Sequence, residues 1–448
     1  MDKREHSRRT VLRRIGTGAT AGGLIGLAGC TSEQAGGGDG GGGGGGSGGG
    51  TEQSNGSSSN ESGGGGSGTA SIKVGFLYPL SGPYSSLGEY QAGGTDVALE
   101  RISSERDVTV ENAGVVDTKL DPTEGLRRAR ELTEQKNVDV LVGTNSSAVA
   151  AAVSEHAKQT ETPLVITGAS AEPLTGENCN RYTFRTIGNT YQNTRALAEW
   201  SMENLGKTVA TMGADYSWGR ASVGGFVEVA EENGGEVVEQ VWPKLGATDY
   251  STEIQKVAGS DADLVCVRAA GSDAVNAAKQ MSSFGLMDQM DVLILNSVDV
   301  MKGAGAAAVG TYGAGYYFER DTEANRAFVN EYMEMNGGAV PDTWSTTAYS
   351  ATRLTAKAAA ETGASAGSAD SAALVSALEG MSVEGPTGET RLRECDHQAT
   401  ANIDVSKTVE STEGWWGEKS FPTREILTTS EAGENARPCE ESQCSLTE

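Results

Sequence analysis

The chain has 448 residues, with 35 Lys/Arg against 61 Asp/Glu and a formal charge of −26. A balance this acidic, without a basic patch, excludes nucleic acid and anionic lipid headgroups as partners recognised by charge. The three histidines (His6, His156, His397) are scattered and no two of the six cysteines form a CxxC, so no zinc site is expected.

The N-terminus reads SRRTVLRR, with Arg8 and Arg9 paired, then a Gly/Ala-rich apolar stretch ending LAGC at Cys30. A basic region, a short apolar region and small residues before a cysteine make an export signal, too short for a stable membrane span. The twin arginine points to the route that carries folded proteins. LAGC looks like a lipobox, so residues 1–29 are expected to be a signal peptide. Cys30 then becomes the lipidated first residue, at the extracellular face of the cytoplasmic membrane. Residues 30–70 are Gly/Ser-rich without one Lys or Arg and cannot bury a core. They read as a flexible tether spanning roughly 35 Å. The first 29 residues carry six Lys/Arg and two Asp/Glu, which leaves 29 bases against 59 acids, a formal −30, in the remainder. Such a surface repels itself unless salt screens it. With the twin-arginine lipoprotein signal, it resembles secreted proteins of halophilic archaea.

From Ile72 the pattern changes. IKVGFLYPL is an apolar run of strand length that stops at a Ser-Gly-Pro turn. After Gly88, EYQAGGTDVALERI places Ala92, Val97, Ala98 and Ile102 at roughly helical spacing. A buried strand, a polar loop and a helix open a parallel α/β domain, in which ligands bind beyond the carboxyl ends of the strands. DVTVENAGVVDTKLDP predicts a second strand, TEGLRRARELTEQKN an amphipathic helix, and VDVLVG and TPLVITG two buried strands separated by the helix AVAAAVSEHAKQT. A second βα series runs from YQNTRALAEWSMENLG through KTVATMG, RASVGGFVEVAEENGG and ADLVCV to DVLILNS. The chain returns through GTYGAGYYFE and two helical segments, then ends in β-like sequence and an acidic tail.

Two consecutive strands of the first series end in small, hydroxyl-bearing loops, Thr144–Ser147 and Gly168–Ser170. Backbone N–H groups in such loops, helped by serine hydroxyls, suit a carboxylate. Ser147 and Ser170 are therefore candidate ligand contacts. Tyr216 and Trp218, in DYSWG, are candidates to cover a small ligand from the other lobe. No G-x-S-x-G elbow, H-E-x-x-H, Walker A motif or compact G-x-G-x-x-G is present, so neither catalysis nor a cofactor is expected. Cys266, within ADLVCV, reads as a core residue. Cys395 is expected to bridge Cys439 or Cys444 and staple the acidic tail, 431–448, to the second lobe.

IKVGFLYPLSGPYSSLG, the DTKLDP to GTNSS stretch, TPLVITGASAEPLTG, YTFRTIG, DYSWGR and GPTGETRLRECDHQ occur in the order found in one family. The chain resembles the substrate-binding proteins of branched-chain amino-acid-type ABC transporters from Ile72 to at least Gln398. That resemblance implies two doubly wound lobes joined by three crossovers, the type I periplasmic-binding fold. The first lobe is expected over 71–187 and about 318–384, the second over 188–317 and about 385–430. It implies a small amino-acid-like solute, permease subunits as partners, and no enzymatic activity. Carried over by motif, Ser147, Ala169 and Ser170 fall where the family holds the ligand's α-carboxylate. Leu87 lines the near wall, and Trp218 takes a position usually filled by a closing tyrosine. The acid that grips an amino group should follow DVLILNS, where this chain offers Ser297, Val298 and Asp299. Leu120, Ser146 and Ala270 depart from the family's amino-acid binders, and related binders take amides, urea or aromatic acids. A ligand-sensing lipoprotein without a transporter and a surface enzyme on a Rossmann-like scaffold are the alternatives.

Overall fold

The computed structural model describes residues 69–446. The signal peptide, Cys30 and the tether up to residue 68 lie outside these residues, and the expected tether's last residue, Ala70, already belongs to a strand.

The first series forms β1 (Ala70–Tyr78), α1 (Ser85–Glu105), β2 (Val108–Asp117), α2 (Pro122–Arg130), β3 (Val140–Gly143), α3 (Ser147–Thr160), β4 (Leu164–Ile166) and β5 (Thr183–Arg185). These strands make a parallel sheet in the order β2-β1-β3-β4-β5. β3 and β4 are buried throughout, as expected for central strands covered on both faces. Alternation along β1 sends Val74, Phe76 and Tyr78 to one face and Leu77 to the other. α1 starts at Ser85, so part of the polar loop read before Gly88 is its first turn.

The second series repeats the pattern with α4 (Thr190–Asn204), β6 (Thr208–Gly213), α5 (Ser217–Glu232), β7 (Glu236–Val241), α6 (Ser251–Ala258), β8 (Leu264–Arg268), α7 (Gly271–Ser283), β9 (Asp291–Leu293), α8 (Val298–Ala304) and β10 (Tyr312–Gly315). The chain then returns to the first lobe as α9 (Glu323–Met335), α10 (Thr343–Thr362), α11 (Ser371–Leu378), β11 (Ser382–Gly385), β12 (Gly388–Leu392) and β13 (Ala399–Thr400). It closes the second sheet with β14 (Ile403–Val409) and β15 (Thr423–Ser430), giving the order β15-β14-β10-β9-β8-β6-β7. β14 pairs antiparallel with β10, and β15 antiparallel with β14. Both sheets therefore reverse strand order at one point, β1/β3 and β6/β8, where crevices form at the strand ends.

α10 is long and rich in small residues because it packs closely on α1. A Cβ at Gly94 would come within 1.9 Å of the Ser345 carbonyl. Asp342 caps α10, accepting from Thr343 N at 2.6 Å, with Ser345 completing a capping box.

The boundary expected near 385 lies further on. Met381, Leu392 and Ala399 pack in the same cluster as Ile72, Val74 and Phe184. Gln398 bridges in parallel to Arg185, extending the edge of the first sheet. Residues 385–400 thus belong to the first lobe, because their apolar side chains are buried against α10 and α11 rather than against the second sheet.

The tail beyond β15 crosses back as well. Cys395 pairs with Cys439, one of the two partners expected, and Cys444 pairs with Cys179, while Cys266 is a free, buried thiol. Both bridges end on the first lobe, so the tail is stapled there and not to the second lobe. From that position Arg437 spans both lobes. It pairs with Glu172 at 2.5 Å on the first and with Glu228 at 2.7 Å on α5 of the second, and stacks 3.7 Å from the Tyr191 ring. Among the described residues no helix is long and apolar enough to cross a membrane.

Candidate functional site

A cavity lies between the lobes at the carboxyl ends of both sheets, where the switch points face each other. The first lobe supplies Leu87 from the first turn of α1, Asn145 after β3, and Gly168 and Ser170 after β4. The second supplies Tyr216 and Trp218 at the start of α5, Arg268 at the end of β8 and Ala270 after it, and Asn296 and Ser297 after β9. The crossover after β10 adds Tyr317, and the head of α10 adds Asp342 to Trp344.

The lobes are closed over this cavity. The hydroxyls of Tyr84, just before α1, and Tyr216, just before α5, are 2.7 Å apart. Gly271, at φ +55°, lies so near the first lobe that a Cβ would meet the Pro83 carbonyl at 2.7 Å. Burial raises the pKa of both tyrosines, so each hydroxyl keeps its proton and can donate.

The first-lobe wall is held from behind. Arg185 is completely buried and donates to the carbonyls of Ala169 at 3.3 Å and Ala171 at 2.6 Å, to Gln398 Oε1 at 2.5 Å, and to Thr175 Oγ1. Burial lowers its pKa to about 9, still protonated at neutral pH. Ser147 Oγ accepts from Ala171 N at 3.2 Å. Asn145 Nδ2, buried in the same wall, has no hydrogen-bond partner among the described residues.

The floor is built on a buried ion pair. Arg424 on β15 donates to Glu319 through Nη2 at 2.8 Å and Nε at 3.1 Å, and through Nη1 to the Asn296 carbonyl at 3.1 Å. Its guanidinium lies 4.4 Å from the Tyr317 ring, and Tyr317 Oη donates to Asn296 Oδ1 at 2.9 Å. Asp342 accepts from Val298 N at 2.5 Å in addition to Thr343 N. Burial raises its pKa to about 6 despite the opposing pull of Arg424.

Of the residues singled out from sequence as ligand contacts, Leu87, Ser170, Tyr216, Trp218 and Ser297 line the cavity. Trp218 sits on the first turn of α5 rather than in a loop. Ser147 and Ala169 stand one layer behind. Ser147 faces a separate hollow beside Ala148, Ser154 and Ala171, and the Ala169 carbonyl is occupied by Arg185. Asp299 is half-buried and turned aside, accepting from Ser297 Oγ at 2.5 Å and Ser86 Oγ at 3.4 Å. Asp342, which sequence reasoning missed, is the carboxylate in the wall. Its signal was PDTWS, an acid at the head of a helix, which reads first as a cap. Asn145 and Arg268 were also missed, although Arg268 ends the apolar strand β8 and Asn145 lies in the Thr144–Ser147 loop that follows β3.

Residues 71–413 match the model of the periplasmic binding protein family. The chain belongs to the periplasmic binding protein family. Leu/Ile/Val-binding protein homolog 6 of Brucella melitensis is 26% identical over 363 residues, 79% of this chain and 92% of its own length. A periplasmic binding protein from Burkholderia mallei superposes with a TM-score of 0.75 at 23% identity, covering 85% of this chain and 100% of that one. A Rhodopseudomonas palustris solute binding protein of an ABC transporter, in complex with 3,4-dihydroxybenzoic acid, gives 0.72 at 24%, covering 81% and 98%. The leucine-, isoleucine-, valine-, threonine- and alanine-binding protein of Brucella ovis, in its closed conformation, gives 0.74 at 23%, covering 84% and 98%. These solved structures share the overall α/β fold with this family member.

Proposed function

We propose that this chain is the solute-capturing component of an ABC importer, not an enzyme, and that it closes on a small amino-acid-like solute between its lobes. The observation that carries this reading is the closed inter-lobe cavity with an unpartnered donor, Asn145 Nδ2, beside Ser170 at the strand ends. A solute carboxylate there takes up that donor, the Ser170 hydroxyl and nearby backbone N–H groups. Ser147 and Ala169 support that loop from behind, Leu87 lines the near wall, and Trp218 covers the solute from the second lobe. Ser297 and Asp299 belong to the second-lobe wall, with Asp299 acting through its bond from Ser297. The names of the Brucella relatives, Leu/Ile/Val-binding protein homologs, support an amino acid as the class of solute. An aromatic acid is the second reading, favoured by the rings of Tyr84, Tyr216, Trp218 and Tyr317 around the cavity and by the aromatic acid in the Rhodopseudomonas structure.

The test is a thermal-shift screen of amino acids, amides and aromatic acids in molar salt, followed by calorimetry with the best solute. A ligand of the native state stabilises by RT ln(1 + [L]/Kd). Trp218→Ala should weaken binding by about 1.5–3 kcal/mol, roughly 10- to 150-fold in Kd, through lost apolar cover. An unchanged Kd would place the solute elsewhere.

The partners in this reading are permease subunits in the membrane, reached from a lipid anchor on Cys30 at the outer face. Cys30→Ser should move the protein from the membrane fraction to the medium or leave it unprocessed. Unaltered fractionation would remove the anchor from the account.

A further inference from the structure

Arg268 is the feature of the cavity that the reading above does not use. It ends β8 and is 3% exposed. Its Nε donates to Ser222 Oγ at 2.5 Å, and its guanidinium lies 5.5 Å from the Trp218 ring. Among the described residues it pairs with no carboxylate. Two other buried arginines make the contrast. Arg424 has Glu319 as a counter-charge, and Arg185 directs its N–H groups to four oxygen acceptors. A guanidinium has five N–H donors, and a buried charge is ordinarily paired. Arg268 has one acceptor and a cavity in front of it.

Asp342, in the same cavity wall, does not fill the gap. Its oxygens already accept from Val298 N and Thr343 N, and it makes no ion pair with Arg268. The first-lobe end, opposite, offers the unpartnered Asn145 Nδ2. The cavity thus has free hydrogen-bond donors at both ends, one carrying a full positive charge.

We propose that the solute presents a second anionic group to the second lobe, where Arg268 binds it, so that the ligand is an acidic amino acid or a short dicarboxylate. The inference rests on the reading of this cavity as the solute site. The planar fork of Arg268, fixed by Ser222 and lying near Trp218, suits a carboxylate and makes the residue a determinant of specificity. A neutral aliphatic side chain in the same place would leave the guanidinium buried and unpaired, which discriminates against it.

The test is calorimetry of the full chain in molar KCl with L-glutamate, succinate and L-leucine, on wild type, R268Q and R268K. Wild type should bind glutamate or succinate more tightly than leucine. R268Q should lose at least about 30-fold for the acidic ligand, as expected for truncating one partner of a buried charge pair. Leucine binding should not fall. If R268Q does not fold, R268K carries the comparison, with a loss for the acidic ligand and none for leucine. Tighter binding of leucine by wild type, or acidic-ligand affinities unchanged in the variants, overturns the assignment of Arg268 while leaving a solute site standing. If no member of the wider solute panel shifts the melting temperature, the solute-binding reading falls, and this inference with it.

Discussion

Glu319→Gln is expected to cost about 3–5 kcal/mol of stability, because it leaves the buried charge of Arg424 without its hydrogen-bonded carboxylate. Arg424 and Glu319 are 0% and 2% exposed at their side chains, so neither water nor salt can replace the lost partner. The damage should reach the site. Arg424 holds the Asn296 carbonyl and stacks on Tyr317, and both residues line the cavity. Solute binding should therefore weaken along with folding. Replacing both partners, as Glu319→Gln with Arg424→Met, should recover much of the stability, since the penalty arises from the orphaned charge and not from the absence of a pair. Denaturant unfolding in high salt measures both variants. A single-variant loss below about 1 kcal/mol would mean that Arg424 finds water or another acceptor, contrary to the enclosure described.

Opening the Cys179–Cys444 bridge is the second large effect. That bridge closes a sequence separation of 265 residues, against 44 for Cys395–Cys439. A native disulfide typically contributes about 2–4 kcal/mol, more for longer loops in the chain-entropy model. The paired Cys179→Ser, Cys444→Ser variant should lose stability in that range. It should also loosen the tail, and with it the Arg437 contacts that join Glu172 of the first lobe to Glu228 of the second. The expected reading is a lower melting temperature in the variant, and in wild type treated with reductant. A melting temperature indifferent to both would show that the tail is dispensable.

Much of this architecture is legible in the chain itself. The step from the apolar run Ile72–Tyr78 to the helical spacing of Val97, Ala98 and Ile102 announces the first βα unit, and the second series repeats it. Strand ends mark where the cavity forms: Ser170 and Ser297 follow strands there, and Leu87 and Trp218 come from the first turns of the next helices. What a strand end does not give is direction. Ser147 and Ser170 belong to adjacent loops of similar sequence, yet Ser147, the first residue of α3, turns its hydroxyl to Ala171 N, while Ser170 faces the cavity. Asp342 was hidden because the acid in the wall comes from the return helix, far along the chain from the loop after β9. Cys179 stands alone in the sequence, and only the tail's path back across the first lobe brings Cys444 within 5.5 Å, Cα to Cα. The 385–400 hairpin carries no periodicity that distinguishes one lobe from the other, since its partners, α10 and α11, are contacts of tertiary origin.

The central claim, capture of a solute by closure of two lobes, is tested most directly by small-angle X-ray scattering in molar salt. The full chain would be measured without ligand and with the solute that most raises its melting temperature. The account predicts a smaller radius of gyration with that solute, and a liganded profile matching the closed form joined by Tyr84 and Tyr216. Saturating solute that leaves the scattering profile unchanged, with the free protein already matching the closed form, would contradict it.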